Sequence, residues 1–134
     1  MSFVLNTQLE GDCYNLGTAD DCCILLHKNA LVPWFILVPH TNENEVYKLE
    51  AHLQSSVQKT TYKFATFVES HFTADKLNIA TIGNIVPQLH IHIIGRFIND
   101  FCWPAPVWGQ SATTNYSDEE LVAIKQALKD NRLI

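Results

Sequence analysis

Two histidines and a glutamine recur at alternate positions in the segment PQLHIHIIGR, residues 87–96. Side chains of a β-strand point to opposite faces with a period of two. The pattern therefore predicts that Gln88, His90 and His92 share one face of a strand, while Leu89 and its apolar neighbours fill the other. A buried polar group without a hydrogen-bond partner lowers stability by about 1–3 kcal/mol. Three such groups in one row therefore indicate a functional role.

Two non-catalytic interpretations of this row are open. The histidines could be core residues whose ring N–H groups bond to carbonyl oxygens. They could also be zinc ligands, because H-x-H on a strand presents two imidazoles to one side. Glutamine is a poor ligand for zinc, and the remaining histidines, which would have to supply the third ligand, have no partner at ligand spacing: His27, His40, His52 and His71.

The third interpretation is catalysis on a phosphate ester or anhydride. A neutral imidazole is a good nucleophile toward phosphorus, and a second imidazole on the same face can hydrogen-bond a phosphoryl or leaving-group oxygen. Gln88 would complete the row as a neutral donor or acceptor. Phosphoryl transfer depends mainly on positioning and on donors for the developing charge, so a rigid strand is a suitable platform.

The elements that must position this row begin with two apolar runs. Residues 20–28 and 34–39 predict two adjacent strands joined as a hairpin. Residues 41–72 then carry apolar side chains at helical spacing, which predicts one long helix. Asn42 and Glu45 fit a capping box at its start.

The second half of the chain predicts a further strand pair and a helix. Residues 76–84 and 87–97 are typical of two antiparallel strands. Residues 97–116 are rich in proline, glycine and polar side chains and predict a structured loop. Ser117 and Glu120 form a second capping box, which predicts a C-terminal helix. The resulting order, β-β-α-β-β-α, predicts an α+β fold with helices packed on an antiparallel sheet.

Composition indicates one folded domain over residues 1–134. Hydrophobic residues make up 47% of the chain and charged residues 17%, as in ordinary folded proteins. The formal net charge of −5 and the lack of a basic run argue against nucleic acid as a partner. No apolar run approaches the ~18 residues of a membrane span, and no leader pattern is found at the N-terminus. The four cysteines lack C-x-x-C spacing and are expected to be free thiols, so the cytoplasm is the expected location.

Four further side chains fit more than one role. Trp103 and Trp108 could line the mouth of a pocket or pack under the loop. Arg96 could meet phosphate, but a residue at the end of a strand is expected to face solvent. For His40 a surface position is the first expectation.

The segment QLHIHII, residues 88–94, resembles the signature His-φ-His-φ-His-φ-φ (φ apolar) of the histidine triad family of nucleotide hydrolases and transferases. Glutamine stands where the signature has its first histidine. The resemblance covers roughly residues 20–97, and it includes four further stretches: Gly95-Arg96, Leu77-Asn78, Gly83-Asn84 and NALVPWFILVP. It implies an antiparallel sheet of about five strands with one long central helix and a C-terminal helix.

The resemblance also implies roles for individual residues. His90 aligns with the nucleophile that attacks the α-phosphate and forms a covalent nucleotidyl-histidine. His92 aligns with the last histidine, which contacts the phosphate and leaving-group oxygens. Asn78 falls where the family places an amide near the phosphates. Asn29 falls near the residue that holds the ribose hydroxyls, and His27 is its rival.

Two departures qualify these roles. Gln88 cannot ionise near neutral pH, so any proton handling at that position is lost. The stretch before the signature usually reads Gly-Gln-Ser/Thr-Val in the family, whereas this chain has Asn84 and Ile85 at its centre. Ile85 lacks the hydroxyl that often touches the phosphate, and Asn84 is the remaining candidate for a substrate-binding amide there.

The resemblance implies a nucleotide hydrolase or nucleotidyltransferase that acts on a nucleoside phosphoramidate, a dinucleoside polyphosphate or a related phosphoanhydride. The alternative is a nucleotide-binding or sensing module with weakened catalysis, which the departures at Gln88 and Ile85 keep open. The expected partner is a small nucleotide, without a metal or other cofactor, and the expected assembly is a homodimer.

Overall fold

A computed structural model describes residues 3–134 as an α+β fold. Between its helices, a five-stranded antiparallel sheet has the order β1-β2-β3-β5-β4. The elements are α1 (Thr7–Asp12), β1 (Cys13–Ala19), β2 (Cys22–His27), β3 (Trp34–Pro39), α2 (Ala51–Phe72), β4 (Lys76–Ala80), β5 (Ile91–Arg96) and α3 (Asp118–Asp130). The expected fold class, with one long central helix and a C-terminal helix, is confirmed.

Both predicted strand pairs are present. β2 and β3 form the hairpin expected from the two apolar runs, with Leu25 opposite Ile36. β4 and β5 are also antiparallel neighbours, with Asn78 opposite Ile94. β5 lies between β3 and β4, so the strand that carries the histidine row is interior to the sheet.

Each face of the sheet has its own apolar core. On one face the helices α2 and α3 pack with side chains such as Phe64 and Leu128 against Ile91 and Ile93 of β5. On the other face α1 and the segment after β5 pack against side chains that include Ile94. Alternate residues of β5 therefore belong to different layers, as its period-two pattern predicts.

Two predicted boundaries are wrong. The long helix begins at Ala51 rather than near Asn42, and its N-cap is Glu50, whose side chain accepts a hydrogen bond from Leu53 N. Residues 46–48 form a separate turn of 3₁₀-helix. β5 begins at Ile91 rather than at residue 87, because Pro87 has no N–H for a sheet ladder and the Gln88 carbonyl bonds to the His90 ring instead.

The first helix and strand were not expected from the apolar pattern. α1 has only six residues and is capped by Asn6, whose side chain accepts from Gln8 N at 2.8 Å. β1 is interrupted by an irregularity in its pairing between Asn15 and Gly17, where Gly17 has φ of 123°. A helix this short and a strand with an irregular register show too little regular spacing of apolar residues to be recognised from the sequence.

The C-terminal helix follows its prediction. Ser117 accepts from Glu120 N at 3.1 Å, and the Glu120 carboxylate accepts from Ser117 N at 2.9 Å. The reciprocal bonds form the capping box expected there. None of the helices described within residues 3–134 is both long and apolar enough to cross a lipid bilayer.

Gly95 of β5 marks a close approach between the sheet and its neighbours. A Cβ atom added there would lie 2.8 Å from Pro33 Cγ and 2.9 Å from Val68 Cγ1. Gly95→Ala should therefore lower the free energy of unfolding by ~1–3 kcal/mol, as overpacking does. Urea denaturation measures the change. Gly11→Ala is the control, since nothing lies within 4 Å of its added Cβ, and an equal effect of both substitutions would contradict this account.

Candidate active site

Two histidines at the start of β5 point to the face of the sheet that lies away from α2. His90 immediately precedes the strand and His92 is its second residue. The two residues are 7% and 6% exposed, and their ring centroids are 4.9 Å apart. Two largely buried imidazoles therefore stand side by side, as the alternating pattern predicts.

The His90 ring is oriented by the backbone. Its Nδ1 lies 2.7 Å from the carbonyl oxygen of Gln88. A carbonyl oxygen only accepts hydrogen bonds, so Nδ1 carries a proton, and in the neutral ring Nε2 keeps an unprotonated lone pair. His90 is thus held in the tautomer that a nucleophile or general base requires.

His92 contacts aromatic side chains as well as His90. Trp34 Nε1 donates a hydrogen bond to His92 Nδ1 at 2.9 Å, and the Trp108 ring meets His92 edge-on, with centroids 5.1 Å apart. Burial, followed by the neighbouring His90 and His27, lowers the pKa of His92 to about 3. His92 is therefore a neutral imidazole near neutral pH.

A third imidazole extends this group. The His27 ring stacks on Trp34 with centroids 4.0 Å apart and planes 10° from parallel. Its Nδ1 accepts a hydrogen bond from Asn29 N at 3.1 Å, which leaves the ring proton on Nε2. Burial lowers the pKa of His27 as well, so this side chain is also a neutral donor.

The three histidines line a cavity of about 310 Å³. That volume is at the lower end of the range for small-molecule sites. Leu9 of α1, Ile36 of β3 and Val86 contribute apolar wall, and Asn84 adds an amide. Among the described lining residues Asp12 carries the one formal charge, and none is lysine or arginine. The cavity therefore offers neutral donors and apolar surface to a ligand.

Cys13 also lines the cavity but is a poor rival nucleophile. Its thiol is buried, and burial together with Asp12 raises its pKa to about 12. The thiolate, which is the reactive form, is therefore scarce at neutral pH. Within residues 3–134, no three His, Cys, Asp or Glu side chains are grouped in a way that could hold a metal ion.

A larger open groove of about 770 Å³ lies on the helical face of the sheet, between α2 and the residues after α3. Lys59, Lys63 and Arg132 line it. Neither His90 nor His92 reaches it, because both point to the opposite face. We therefore place the candidate active site in the smaller cavity, where the histidines are.

Gln88 lies outside the cavity wall, although the sequence places it in the histidine row. Its side-chain oxygen accepts from Asn6 N at 2.8 Å, and its amide nitrogen donates to Val4 O at 2.9 Å. Both ends of the amide are therefore used to hold the segment before α1. Leu9 and Asp12 of α1 line the cavity. Gln88 therefore supports this wall indirectly, by holding the backbone that leads into α1.

Two predicted amides also lie away from the cavity. Asn78 Oδ1 accepts from Arg96 at 2.9 Å. The Asn29 side chain donates to Ala112 O at 3.2 Å and accepts from Leu31 N at 3.2 Å. Of the substrate-binding candidates, the structure brings His27 and Asn84 to the histidines and gives Asn29 and Asn78 bonds elsewhere.

Arg96 is buried, so the expectation that it faces solvent is wrong. It is 2% exposed and makes two bonds to the Asp100 carboxylate, of 2.7 and 3.2 Å. It also donates to Ala105 O at 2.8 Å and lies over the Trp103 ring. Burial alone would raise the pKa of Asp100, but bonds from Arg96 and from backbone N–H groups outweigh it and hold the pKa at about 2. This ion pair fixes the segment that leads to Trp108.

Trp34 is a site residue that the sequence pattern did not indicate, and for Trp108 the pattern fitted both a pocket and a core position. Both line the cavity. The two rings meet edge-on at 6.1 Å. Trp34 could have been found by alternation along β3, but only after the register between β3 and β5 was known. Trp103, in contrast, packs on Arg96.

Comparisons with known proteins identify the family and the fold of this chain. The HIT domain model matches residues 8–99, which is more than half of the chain. The chain belongs to the HIT (histidine triad) family. A search of curated protein sequences finds no match.

Several solved HIT-family structures resemble this HIT protein along its whole length. A histidine triad protein from Marinobacter aquaeolei VT8 is 34% identical, with 98% of each chain covered and a TM-score of 0.92. One from Sinorhizobium meliloti 1021 is also 34% identical, with 97% of each chain covered and a TM-score of 0.92. One from Bradyrhizobium japonicum is 32% identical, with 98% of each chain covered and a TM-score of 0.93. These matches confirm the HIT fold.

The neutral state of His92 predicts destabilisation by acid. Its pKa is lowered from 6.5 to about 3 in the folded protein, so between these values the unfolded chain binds a proton that the folded HIT domain does not. Stability should fall as pH falls through this range, with this group contributing up to ~1.4 kcal/mol per pH unit. Urea denaturation between about pH 7 and pH 4 measures the slope. His92→Gln should flatten it, and equal slopes would contradict the assignment.

The two bonds of Gln88 predict a local effect of its removal. Gln88→Ala should speed hydrogen exchange at the Asn6 amide and lower the free energy of unfolding by ~1–2 kcal/mol, since each bond contributes about 1 kcal/mol. Gln58→Ala is a matched control, because Gln58 bonds to Tyr62 Oη on the exposed side of α2. If Asn6 exchanges at the wild-type rate in Gln88→Ala, the side chain does not hold this segment.

Proposed function

We propose that this HIT protein binds a nucleotide in the cavity of His27, His90 and His92 and cleaves it at the α-phosphate. HIT proteins are generally nucleotide hydrolases or transferases, and the proposal assigns that class of reaction to this chain. The observation that carries it is the bond between His90 Nδ1 and the Gln88 carbonyl. That bond leaves the Nε2 lone pair free beside the cavity.

The proposed reaction has two displacements. His90 Nε2 attacks the α-phosphorus, a P–Nε2 bond forms, and the bond from phosphorus to the leaving group breaks. The leaving group departs with a proton taken up from solvent. Water then attacks the nucleotidyl-histidine and gives a proton back to solvent, the P–Nε2 bond breaks, and the nucleoside monophosphate is released with His90 restored. His92 is placed to donate a hydrogen bond to a phosphoryl or leaving-group atom, because it adjoins His90 on the same face.

Two further cavity residues fit the nucleotide. We assign the ribose hydroxyls to His27 rather than Asn29, since the Asn29 side chain bonds to Ala112 and Leu31. We assign the amide near the phosphates to Asn84 rather than Asn78, which bonds to Arg96. Gln88 acts in this proposal by holding the wall that α1 forms, and it does not touch the phosphate.

The charge of the cavity favours a substrate with one phosphate. A dinucleoside polyphosphate brings several negative charges, and the described lining holds Asp12 but no cation to neutralise them. A nucleoside phosphoramidate carries a single phosphate group and an amine leaving group, which suits neutral donors. We therefore propose phosphoramidates as the preferred class. The four free cysteines suit a reducing compartment, and we propose a cytoplasmic homodimer, as the resemblance implies.

The proposal predicts a covalent adduct and a substrate preference. Wild type mixed with adenosine phosphoramidate and quenched early should carry one adenylyl group on the peptide that contains His90. His90→Asn should lose the adduct and at least ~10³-fold of turnover, as removal of a nucleophile does. The value of kcat/KM should be higher for the phosphoramidate than for diadenosine polyphosphates.

His52→Asn is the control for this test, because His52 lies exposed on α2 and should keep full activity. Equal AMP release by wild type and His90→Asn would contradict the role of His90. Tight binding of AMP without release of product from either substrate class would instead favour the binding or sensing module.

A further inference from the structure

The indole of Trp34 makes a directed contact with His92. Trp34 Nε1 lies 2.9 Å from His92 Nδ1. An indole N–H can only donate a hydrogen bond, so His92 Nδ1 must accept it with its lone pair. The ring proton of neutral His92 is then on Nε2, the other ring nitrogen.

We propose that Trp34 is a positioning residue for His92, whose proton it fixes on Nε2 so that this N–H is presented to the substrate. The presentation of this N–H to a substrate rests on the proposed function, whereas the tautomer itself is a property of the free protein. It gives the two neighbouring histidines opposite tautomers. His90 presents a lone pair from Nε2, and His92 presents a donor from Nε2.

The sheet and the cavity wall hold the indole in place. Trp34 is opposite Ile94 on β5, and Ile36 is opposite His92, so Trp34 is a diagonal neighbour of His92 on the same face. Stacking of His27 on the Trp34 ring at 4.0 Å restrains its plane. Trp34 itself is 6% exposed, so water has little access with which to compete for the bond.

The surroundings of His92 also oppose a second proton. A cationic His92 would need a proton on Nδ1 and would lose the bond from Trp34. Burial and the nearby His90 and His27 lower the pKa of His92, and Asp12 is the one charged side chain among the described cavity residues. His92 therefore stays neutral, and the question that remains is which of its two ring nitrogens carries the proton.

The tautomer matters because the two forms have opposite effects on a phosphate. With the proton on Nε2, His92 donates to a phosphoryl oxygen or to the leaving group. With the proton on Nδ1, the Nε2 lone pair would face the same electron-rich atoms and repel them. Preorganised donors of this kind are a large contribution to catalysis, so loss of the Trp34 N–H should lower turnover even when the fold is intact.

Nitrogen NMR of the histidine rings tests the tautomer without any turnover. In wild type, His92 should show a protonated Nε2 and an unprotonated Nδ1 across neutral pH. Replacement of Trp34 by benzothienylalanine, in which sulfur takes the place of the indole N–H, keeps the ring shape and removes the donor. The His92 signals should then move toward a mixture of tautomers, and kcat on adenosine phosphoramidate should fall by at least ~10-fold, on the scale of a weakened acid–base group.

Trp108→Phe is the matched control for the NMR measurement, because Trp108 touches the same His92 ring without a hydrogen bond to it. This variant should keep the wild-type tautomer. A wild-type His92 protonated on Nδ1 would overturn the inference, as would an unchanged tautomer in the benzothienylalanine protein. If no substrate is cleaved by wild type, the proposed function fails, while the tautomer result still decides the role of Trp34.

Discussion

The register between β3 and β5 is the constraint on which the site depends. It sets Ile36 opposite His92 and Trp34 opposite Ile94, so side chains of both strands meet in the layer away from α2. A slip by one residue would turn the histidines toward the helices and Ile93 toward the cavity. The register is held because alternate residues of β5 are buried in two separate cores, so neither face tolerates the exchange.

Around this pair of strands, the site is built from neutral groups in fixed orientations rather than from charges. Backbone and indole contacts determine which ring nitrogen of His90 and His92 is protonated, and burial keeps His92 uncharged. The buried ion pair between Arg96 and Asp100 fixes the segment before Trp108. Gln88 likewise has a structural role, because its side chain bonds to the Asn6 backbone just before α1. The charged and amide groups that look available for phosphate in the sequence are therefore largely used for structure.

The sequence was sufficient for features that depend on local pattern. Alternation brought His90 and His92 to one face, apolar runs indicated the β2–β3 hairpin, and Ser117 marked the start of α3. The sequence pattern could not predict features that depend on contacts between distant elements. Trp34 becomes a site residue only through the register of β3 and β5. Arg96 is buried because Asp100, in the loop that follows β5, pairs with it. The start of α2 was also ambiguous, because both Asn42 and Glu50 precede residues with helical spacing. The N-cap is Glu50.

The stereochemical course at phosphorus shows whether cleavage passes through a nucleotidyl-histidine. Each in-line displacement inverts the configuration at phosphorus. An adenosine phosphorothioamidate of defined configuration, hydrolysed by wild type in isotopically labelled water, reports the number of displacements. Net retention is expected, from attack by His90 followed by attack by water. Net inversion would show that water attacks phosphorus directly and would exclude a nucleotidyl-histidine intermediate.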